Sequence, residues 1–324
     1  MRRSVAAAVA VAVVASAAIA VAVVSGIDGP ATVGRQAVRV TAAGPSLGGC
    51  PMFPVDNWWN QDVSESPLHA RSAEIIAQIQ ADGLDNLHPD FGENPAYGIP
   101  YVVVPATQPL VPIAYTAYGD ESDPGPFPIP LDAPVEGAGA GGDRHVLVLR
   151  QGTCELFELF VGRRNGAGWD AASGARFDLR SNALRPDGWT SADAAGLPIL
   201  PGLVRYDEVA AGVIQHAIRV TFTETQRGYI TPATHFASDS TNPNRPPMGM
   251  RLRLEASYDV SQLVGQARVI AVAMQRYGLI VADNGSNWFF QGAPSPGWND
   301  DDLNQLKGIP GTAFEVVETG GVHA

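Results

Sequence analysis

The chain has 324 residues, a net charge of −12 and 45% hydrophobic residues, a composition that suits a globular protein with one large domain or two smaller ones. A sequence pI near 4.8 argues against a nucleic-acid-binding surface, because phosphate neutralisation requires clustered Lys and Arg. Lys307 is the only lysine among 21 basic residues, which disfavours Schiff-base chemistry, and no P-loop sequence is present.

The N-terminus has the pattern of an export signal. Met1-Arg2-Arg3 is basic, and Ser4 to Val24 is a long apolar run. The run is also long enough to span a bilayer, so an uncleaved N-terminal anchor is the alternative. We expect a signal peptide or anchor over residues 1–25, a flexible linker over 26–49 and a single β-rich globular domain over 50–324.

The two cysteines, Cys50 and Cys154, predict one disulfide bond. An exported chain meets oxidising conditions, where a pair of cysteines favours a bond between them. Closing so long a loop contributes about 4 kcal/mol to stability in the chain-entropy model. Leu47-Gly48-Gly49-Cys50 also resembles a lipoprotein signal box, although it lies more than twenty residues beyond the apolar run that it should adjoin.

Helix and strand signals alternate in the first half of the predicted domain. A helix is expected to begin at Ser66-Pro67 and to end at Gly83. Its predicted buried stripe consists of Ile75, Ile76 and Ile79. His88 to Gly98 is predicted to be loop, and Ile99 to Val104 is predicted to be a strand.

Alternating sequence in the middle of the chain places ionisable residues among apolar ones. Arg144 to Phe160 predicts an antiparallel hairpin in which His145 and Glu158 lie on the apolar sides of their strands. Val213 to Phe222 predicts a third strand, with His216 on its apolar side. Burying these three side chains costs free energy unless each has a partner.

The densest structural signal runs from Ser261 to Leu303. Apolar residues at helical spacing follow Ser261, the expected cap, and Gly278 is expected to end this helix. Asn284-Gly285 between two apolar runs predicts a buried β-hairpin, because a type I′ turn needs two residues that tolerate positive φ. The acidic run that follows is expected to cap a helix over Asp302 to Lys307.

Further strands are predicted at Ile230 to Ala237 and Met250 to Leu254, and no internal repeat is present. Many short strands with two or three peripheral helices indicate a mainly β or α+β fold. The expected architecture is an antiparallel β-sandwich or a jelly-roll-like domain.

Five long segments of the chain are specific enough to compare with known proteins: YGDESDPGPFPIP (118–130), GDRHVLVL (142–149), TSADAAGLPILPGLVRYDEVAAG (190–212), PPMGMRLRLEASYD (246–259) and VADNGSNWFFQGAP (281–294). They resemble a family of exported bacterial proteins of no activity known to us. The resemblance covers nearly all of the chain after Cys50. It implies one continuous secreted domain and carries no catalytic residues over to this chain.

Glu158 is the strongest catalytic candidate, because a carboxyl on an apolar strand face has a raised pKa, which suits a general acid. Its strand, Glu-Leu-Phe-Glu-Leu-Phe, is similar to the acidic strands of sandwich-fold glycosidases, although the two glutamates point to opposite faces. Asp283 or Asp207 is the candidate partner, and His145 and His216 would orient the pair. Alternatively, Glu158 forms a structural ion pair and Asp283 only braces a turn.

A metal site is a second interpretation of the same region. Its candidate ligands are His145, His216, His235 and Glu158. Two imidazoles and a carboxylate on adjacent strands match metal-dependent barrel enzymes, but no H-x-H or H-E-x-x-H spacing is present, and core histidines are the simpler explanation. The candidate sugar-binding rings are Trp298, Trp288 and Tyr206, with Trp298 expected to be the exposed one and core packing as the alternative.

These features favour a secreted carbohydrate-active enzyme that hydrolyses an extracellular polysaccharide by carboxylate acid/base chemistry, without a cofactor. One alternative is a non-catalytic extracellular glycan-binding or cell-surface module. Another is a metal-dependent β-barrel enzyme or a polysaccharide lyase. A serine hydrolase is disfavoured because no G-x-S-x-G motif occurs. The expected partner is a glycan and not nucleic acid, and the chain would meet a membrane only through an uncleaved N-terminal segment.

Overall fold

A computed structural model describes residues 44–139 and 141–324 of the chain. The predicted signal peptide and most of the predicted linker lie outside these residues. Within them the strands are β1 Ser46–Leu47, β2 Cys50–Pro51, β3 His88–Asp90, β4 Tyr101–Val104, β5 Ile113–Tyr115, β6 Val146–Arg150, β7 Glu155–Phe160, β8 Arg163–Asn165, β9 Gly168–Ala171, β10 Ser173–Asp178, β11 Ile218–Phe222, β12 Arg251–Leu254, β13 Leu279–Asn284, β14 Phe289–Gln291 and β15 Phe314–Val316. The α-helices are α1 Ser72–Asp82, α2 Tyr206–Ala210, α3 Gly265–Arg276 and α4 Asp300–Asn304.

Two sheets form the centre of this part of the chain. One has four strands in the order β10-β7-β6-β4, and the other has six in the order β15-β12-β13-β11-β14-β3. The predicted mainly β, α+β class is confirmed. The sheets also contain parallel pairs, such as β4 with β6 and β11 with β13, which join strands that are distant in sequence and that alternation alone does not reveal.

The predicted hairpin in the four-stranded sheet is confirmed, with Leu147 paired to Glu158 in antiparallel register. Side chains of the Leu147 face belong to the main hydrophobic core. The opposite face, which includes Val148 and Phe157, packs against Phe127 in a smaller cluster. Both faces are therefore covered, which explains why β6 reads as an apolar run and not as a strict alternation.

Helices α1 and α3 follow the predicted apolar stripes but begin later than predicted. In α1 the three isoleucines are buried and Gly83 follows the last residue, whereas the helix starts at Ser72 and not at Ser66-Pro67. In α3 the first residue is Gly265, because Ser261 belongs to a separate 3₁₀ turn capped by Asp259. Gly278 ends α3 as predicted, with a φ of 72°, and a Cβ at this position would collide with the Leu252 carbonyl oxygen.

The disulfide between Cys50 and Cys154 is confirmed and spans 104 residues of sequence. It joins β2 to the residue before β7, and it leaves no Cys50 thiol for lipidation. β1 pairs with β2, so the folded part begins inside the segment predicted as linker. None of the described helices has the length and apolar composition that crossing a bilayer requires.

The predicted hairpin at Asn284-Gly285 is wrong. β13 and β14 do not pair with each other, because β11 lies between them and pairs with both. The Asn284 side chain bonds Thr225 and Ser238 instead of closing a two-residue turn. A segment of sequence with a hairpin signal thus connects two strands that flank a third.

Three further boundaries differ from the sequence-based expectation. The strand predicted over Val213 to Phe222 is shorter, so that His216 lies before β11. The strand predicted over Ile230 to Ala237 is absent from the described sheets, and Pro232 could not donate a backbone hydrogen bond there. The last helix begins at Asp300, where Asn299 caps the N–H groups of Asp301 and Asp302.

Candidate functional site

Glu158 is completely buried, and its carboxylate binds backbone N–H groups. Its exposed fraction is 0%. Its two carboxylate oxygens accept hydrogen bonds from the N–H of Ile199 at 3.0 and 2.9 Å, and one also accepts from the N–H of Leu200 at 2.9 Å. Burial raises the pKa of Glu158 to about 7, against the effect of these bonds. The side chain therefore anchors the segment at 190–203 to the four-stranded sheet, and it has no route to a substrate.

His145 is a fixed cation next to this segment. Its Nδ1 lies 2.7 Å from a Glu136 carboxylate oxygen, and its Nε2 lies 3.0 Å from the Ala192 carbonyl oxygen. Both neighbours are acceptors, so the ring needs a proton on each nitrogen. Burial opposes that charge, but Glu136 outweighs it and raises the pKa of His145 to about 9. A ring held in this state does not serve as a base at neutral pH.

Arg219 and Asp193 join the same segment to the six-stranded sheet. Arg219 donates from Nε to Asp193 at 3.0 Å and from Nη2 at 2.6 Å, and its Nη1 donates to Gln291. Both ionic side chains are almost completely buried. Asp283 hydrogen-bonds to Asp193, and burial with the Asp193 charge raises the pKa of Asp283 to about 7. The structure thus brings Glu158, His145 and Asp283 into one set of interacting charges.

We call this set the Arg219 cluster. Its members share contacts or electrostatic coupling in the space around residues 190–203, and they are Glu136, His145, Glu158, Asp193, Arg219, Asp283 and Gln291. Sequence reasoning missed Asp193 and Arg219. Asp193 is in a turn-rich segment without periodicity, and Arg219 is on the side of β11 that alternation assigns to polar residues.

His216 and Asp207, the other catalytic candidates, lie elsewhere. His216 places Nδ1 2.7 Å from the Ala217 carbonyl and Nε2 3.1 Å from Glu208. Glu208 also forms an ion pair with the buried Arg205 at 2.5 Å. Asp207 has a side chain that is 52% exposed and borders a cavity of about 400 Å³. Among the described residues, the hydrogen bonds and ion pairs of His216 and Asp207 do not involve Glu158, so the structure does not bring these two candidates together with it.

The predicted exposure of Trp298 is also wrong, since only 4% of this residue is exposed. Its ring packs edge-on against Phe91 and Tyr206, and its N–H donates to the Ala293 carbonyl at 2.9 Å. Trp288 is fully buried and donates to Gln80. Of the three candidate sugar-binding rings, Tyr206 lines a cavity.

The proposed metal ligands are each engaged by other partners. His235 contacts the Ala194 carbonyl, and His145 and His216 have the partners described above. In the part of the chain that the structure describes, no group of three or more His, Cys, Asp or Glu side chains could hold a metal ion.

A carboxyl that sequence reasoning did not single out is open to solvent. Asp90 ends the edge strand β3, where it pairs in register with Gln291, the partner of Arg219. The Asp90 carboxyl is half-buried and has no hydrogen-bond partner among the described residues. Burial and the Glu136 charge raise its pKa, and the Arg219 charge opposes the shift. Asp90 thus lies beside Gln291 of the Arg219 cluster, on the neighbouring edge strand.

Asp90 lines a cavity of about 430 Å³, which we call the Asp90 cavity. The wall residues that carry ionisable or aromatic side chains include His88, Asp90, Tyr97, Phe289, Asp300 and Lys307. The His88 ring stacks on Phe289 with ring centres 4.1 Å apart. Burial and the nearby Lys307 charge lower the pKa of His88, so its imidazole is neutral at neutral pH.

Asp300 supplies a second carboxyl to this cavity. One of its oxygens accepts from the N–H of Glu93 at 3.0 Å, which fixes the side chain toward the loop after β3. Two carboxyls, a neutral imidazole, an ammonium group and aromatic rings therefore meet at one opening. No sequence signal marks this site, because β3 has only three residues and its neighbours come from positions about 200 residues later.

No family model matches the chain, and no curated protein or solved structure shows a significant similarity to it.

Proposed function

We propose that this protein is an exported enzyme that hydrolyses glycosidic bonds of an extracellular polysaccharide, with Asp90 as the proton donor. The observation that carries the proposal is the Asp90 carboxyl itself, which has a raised pKa, no hydrogen-bond partner within residues 44–139 and 141–324, and an opening onto a cavity of about 430 Å³. Glu158, the donor expected from the sequence, has the raised pKa but no opening.

Glycosidic cleavage needs one protonated carboxyl, which gives a proton to the leaving oxygen, and one carboxylate, which acts as base or nucleophile. Asp90 suits the first role because its environment disfavours the charged form. Asp300 suits the second role, since it lines the same cavity and a backbone N–H holds its position. We assign these roles to Asp90 and Asp300.

The cavity wall also suits a sugar. Tyr97 is 58% exposed and Phe289 is half-buried, so both rings offer surface for stacking. Lys307 and Asn304 add hydrogen-bond donors for hydroxyl groups. Apolar rings with a few polar groups are typical of small-ligand sites.

Export is part of the proposal. It is supported by the basic start and apolar run at the N-terminus and by the Cys50–Cys154 disulfide, since such bonds persist in oxidising compartments. An extracellular enzyme of this kind meets polymers that are too large to enter a cell, which is why we favour a polysaccharide substrate.

The experiment is to incubate the purified protein with a panel of polysaccharides and to measure new reducing ends. Asp90→Asn and Asp300→Asn should each lower turnover of the substrate that responds by about 10²-fold or more, the usual contribution of a positioned acid or base. Asp301→Asn removes the same charge from an exposed neighbour outside the cavity, and it should keep full turnover. Full turnover in Asp90→Asn would overturn the assignment.

A glycan-binding module without turnover is the second candidate, and the same aromatic wall favours it. It predicts binding on a glycan array together with no reducing ends from any polysaccharide. Binding in that case should be weakened by Tyr97→Ala and not by Asp90→Asn.

A further inference from the structure

A second cavity has a wall residue that packs against Trp298, as the Asp90 cavity does. It has a volume of about 400 Å³, and we call it the Tyr101 cavity. The Trp298 ring contacts Phe91 of the first cavity at 5.1 Å and Tyr206 of the second at 5.3 Å, measured between ring centres. Trp298 therefore packs against one wall residue of each cavity.

The Tyr101 cavity combines two tyrosine rings with a carboxylate. Its wall includes Tyr101, Tyr206, Asp207 and Ser295. Asp207 is half exposed, and its nearest cation is Arg205, whose Nε lies 3.6 Å away. Tyr206 packs on Trp298, which fixes its ring at the cavity wall. These are the groups that surround bound ammonium ions in proteins, because aromatic faces and carboxylates both attract a cation.

The charge of Arg205 does not neutralise Asp207. Arg205 is completely buried and forms its short contact, 2.5 Å, with Glu208, although none of its guanidinium nitrogens forms a hydrogen bond with the residues that the structure describes. Glu208 in turn contacts His216. The buried Arg205 charge is thus opposed mainly by Glu208, and the exposed Asp207 carboxylate remains available to a ligand.

The state of Tyr101 agrees with a negative potential in this cavity. Burial raises the pKa of Tyr101, the Asp207 and Glu208 charges raise it further, and Arg205 opposes them. The hydroxyl therefore keeps its proton and can donate a hydrogen bond. An acidic sugar would meet repulsion here, whereas a sugar with a protonated amine would meet attraction.

We propose that the Tyr101 cavity is a second sugar-binding subsite, specific for a unit that carries a free amino group, with Asp207 as the contact for the ammonium. The substrate class is then an amine-bearing polysaccharide, an extension that rests on the proposed function. The subsite itself requires only binding. Tyr101 and Tyr206 contribute the aromatic contacts, and Ser295 contributes a hydroxyl.

The test is calorimetric titration of the purified protein with the hexasaccharide of glucosamine and, separately, with that of N-acetylglucosamine. The glucosamine hexamer should bind more tightly, and added salt should weaken it. Asp207→Asn should weaken it about tenfold, as expected for the loss of a contact to a charged group. The same change should leave the N-acetylated hexamer unaffected, and Asp301→Asn should leave both unaffected.

Equal binding of the two hexamers, or unchanged binding of the glucosamine hexamer by Asp207→Asn, would overturn the subsite. Circular dichroism of Asp207→Asn checks folding, which should be intact because the side chain is on the surface. Asp90→Asn separates the two proposals. If binding depends on Asp207 but no polysaccharide is hydrolysed, the enzymatic proposal is contradicted and the subsite is supported. If hydrolysis depends on Asp90 but Asp207→Asn changes nothing, the subsite is contradicted and the enzymatic proposal is supported.

Discussion

Arg219 donates two hydrogen bonds, 3.0 and 2.6 Å long, to the Asp193 carboxylate, and both side chains are almost completely buried. Asp193 belongs to the segment at 190–203, and Arg219 belongs to β11 of the six-stranded sheet. Glu158 binds the same segment from the four-stranded sheet. Glu158, which looks catalytic in the sequence, therefore acts with Asp193 and Arg219 to connect the two sheets through this segment.

The Asp193–Arg219 pair should be essential for stability. Arg219→Met leaves the Asp193 charge buried without its partner, and we expect a loss of about 3–5 kcal/mol in the free energy of unfolding. Urea denaturation measures it. The double variant Arg219→Met with Asp193→Leu should recover part of the loss, because it removes both charges. A loss below about 1 kcal/mol in the single variant would contradict a buried pair.

Stability should fall as the pH rises from about 4 to 7. Glu158 and Asp283 have folded pKa values of about 7 against ordinary values of 4.5 and 3.8, so the folded state keeps protons that the unfolded state releases in this range. His145, at about 9 against 6.5, extends the fall toward pH 9. Glu136 and Glu208 have lowered pKa values, and their stabilising effect is lost only in more acidic solution.

Urea midpoints between pH 4 and pH 9 test this expectation. Glu158→Gln removes the titrating carboxyl, so it should flatten the curve between pH 4 and 7. Asp301→Asn, an exposed control, should keep the wild-type slope. A midpoint that rises steadily from pH 4 to 7 would show that these carboxyls ionise freely.

Removal of the disulfide should lower stability without changing the fold. The bond closes a loop between residues 104 apart, and the chain-entropy model gives about 4 kcal/mol for it, as expected from the sequence. Cys50→Ala with Cys154→Ala, compared with the oxidised wild type in urea, measures the difference. An unchanged midpoint would mean that the bond constrains little in the unfolded chain.

Trp298 should contribute to stability and to both cavities. Trp298→Ala should cost about 3–5 kcal/mol, the usual loss for a buried large aromatic residue, and Trp298→Phe should cost less. At conditions where Trp298→Ala remains folded, it should weaken glucosamine-hexamer binding, because Tyr206 loses its support. If Trp298→Ala has the same stability as the wild type, the Trp298 ring is exposed, as the sequence suggests.

Local sequence patterns predict the elements whose signals lie within one stretch of chain. The isoleucine stripe of α1, the hairpin of β6 and β7 and the end of α3 at Gly278 are all confirmed, since each depends on neighbours in sequence. The Asn284-Gly285 hairpin fails because β11, about 60 residues earlier, inserts between the two strands. Pairing between distant strands leaves no mark in the local pattern.

The sequence likewise predicts one part of the candidate site and not the rest. Alternation correctly indicates that Glu158 and His145 are buried, but burial alone does not distinguish an anchor from a catalytic group. That distinction depends on Ile199 and Leu200, whose N–H groups occupy the carboxylate. Asp90 could not be found from the sequence, because its pKa depends on Glu136 and Arg219, which come from other parts of the chain.

The most direct test of the central claim compares two substrates of Asp90→Asn. One is the polysaccharide that the wild type hydrolyses, and the other is a nitrophenyl glycoside of the same sugar, whose leaving group departs without protonation. If Asp90 is the proton donor, kcat/KM should fall by about 10²-fold or more on the polysaccharide and by only a few-fold on the nitrophenyl glycoside. An equal fall on both substrates, or none on the polysaccharide, would contradict this role.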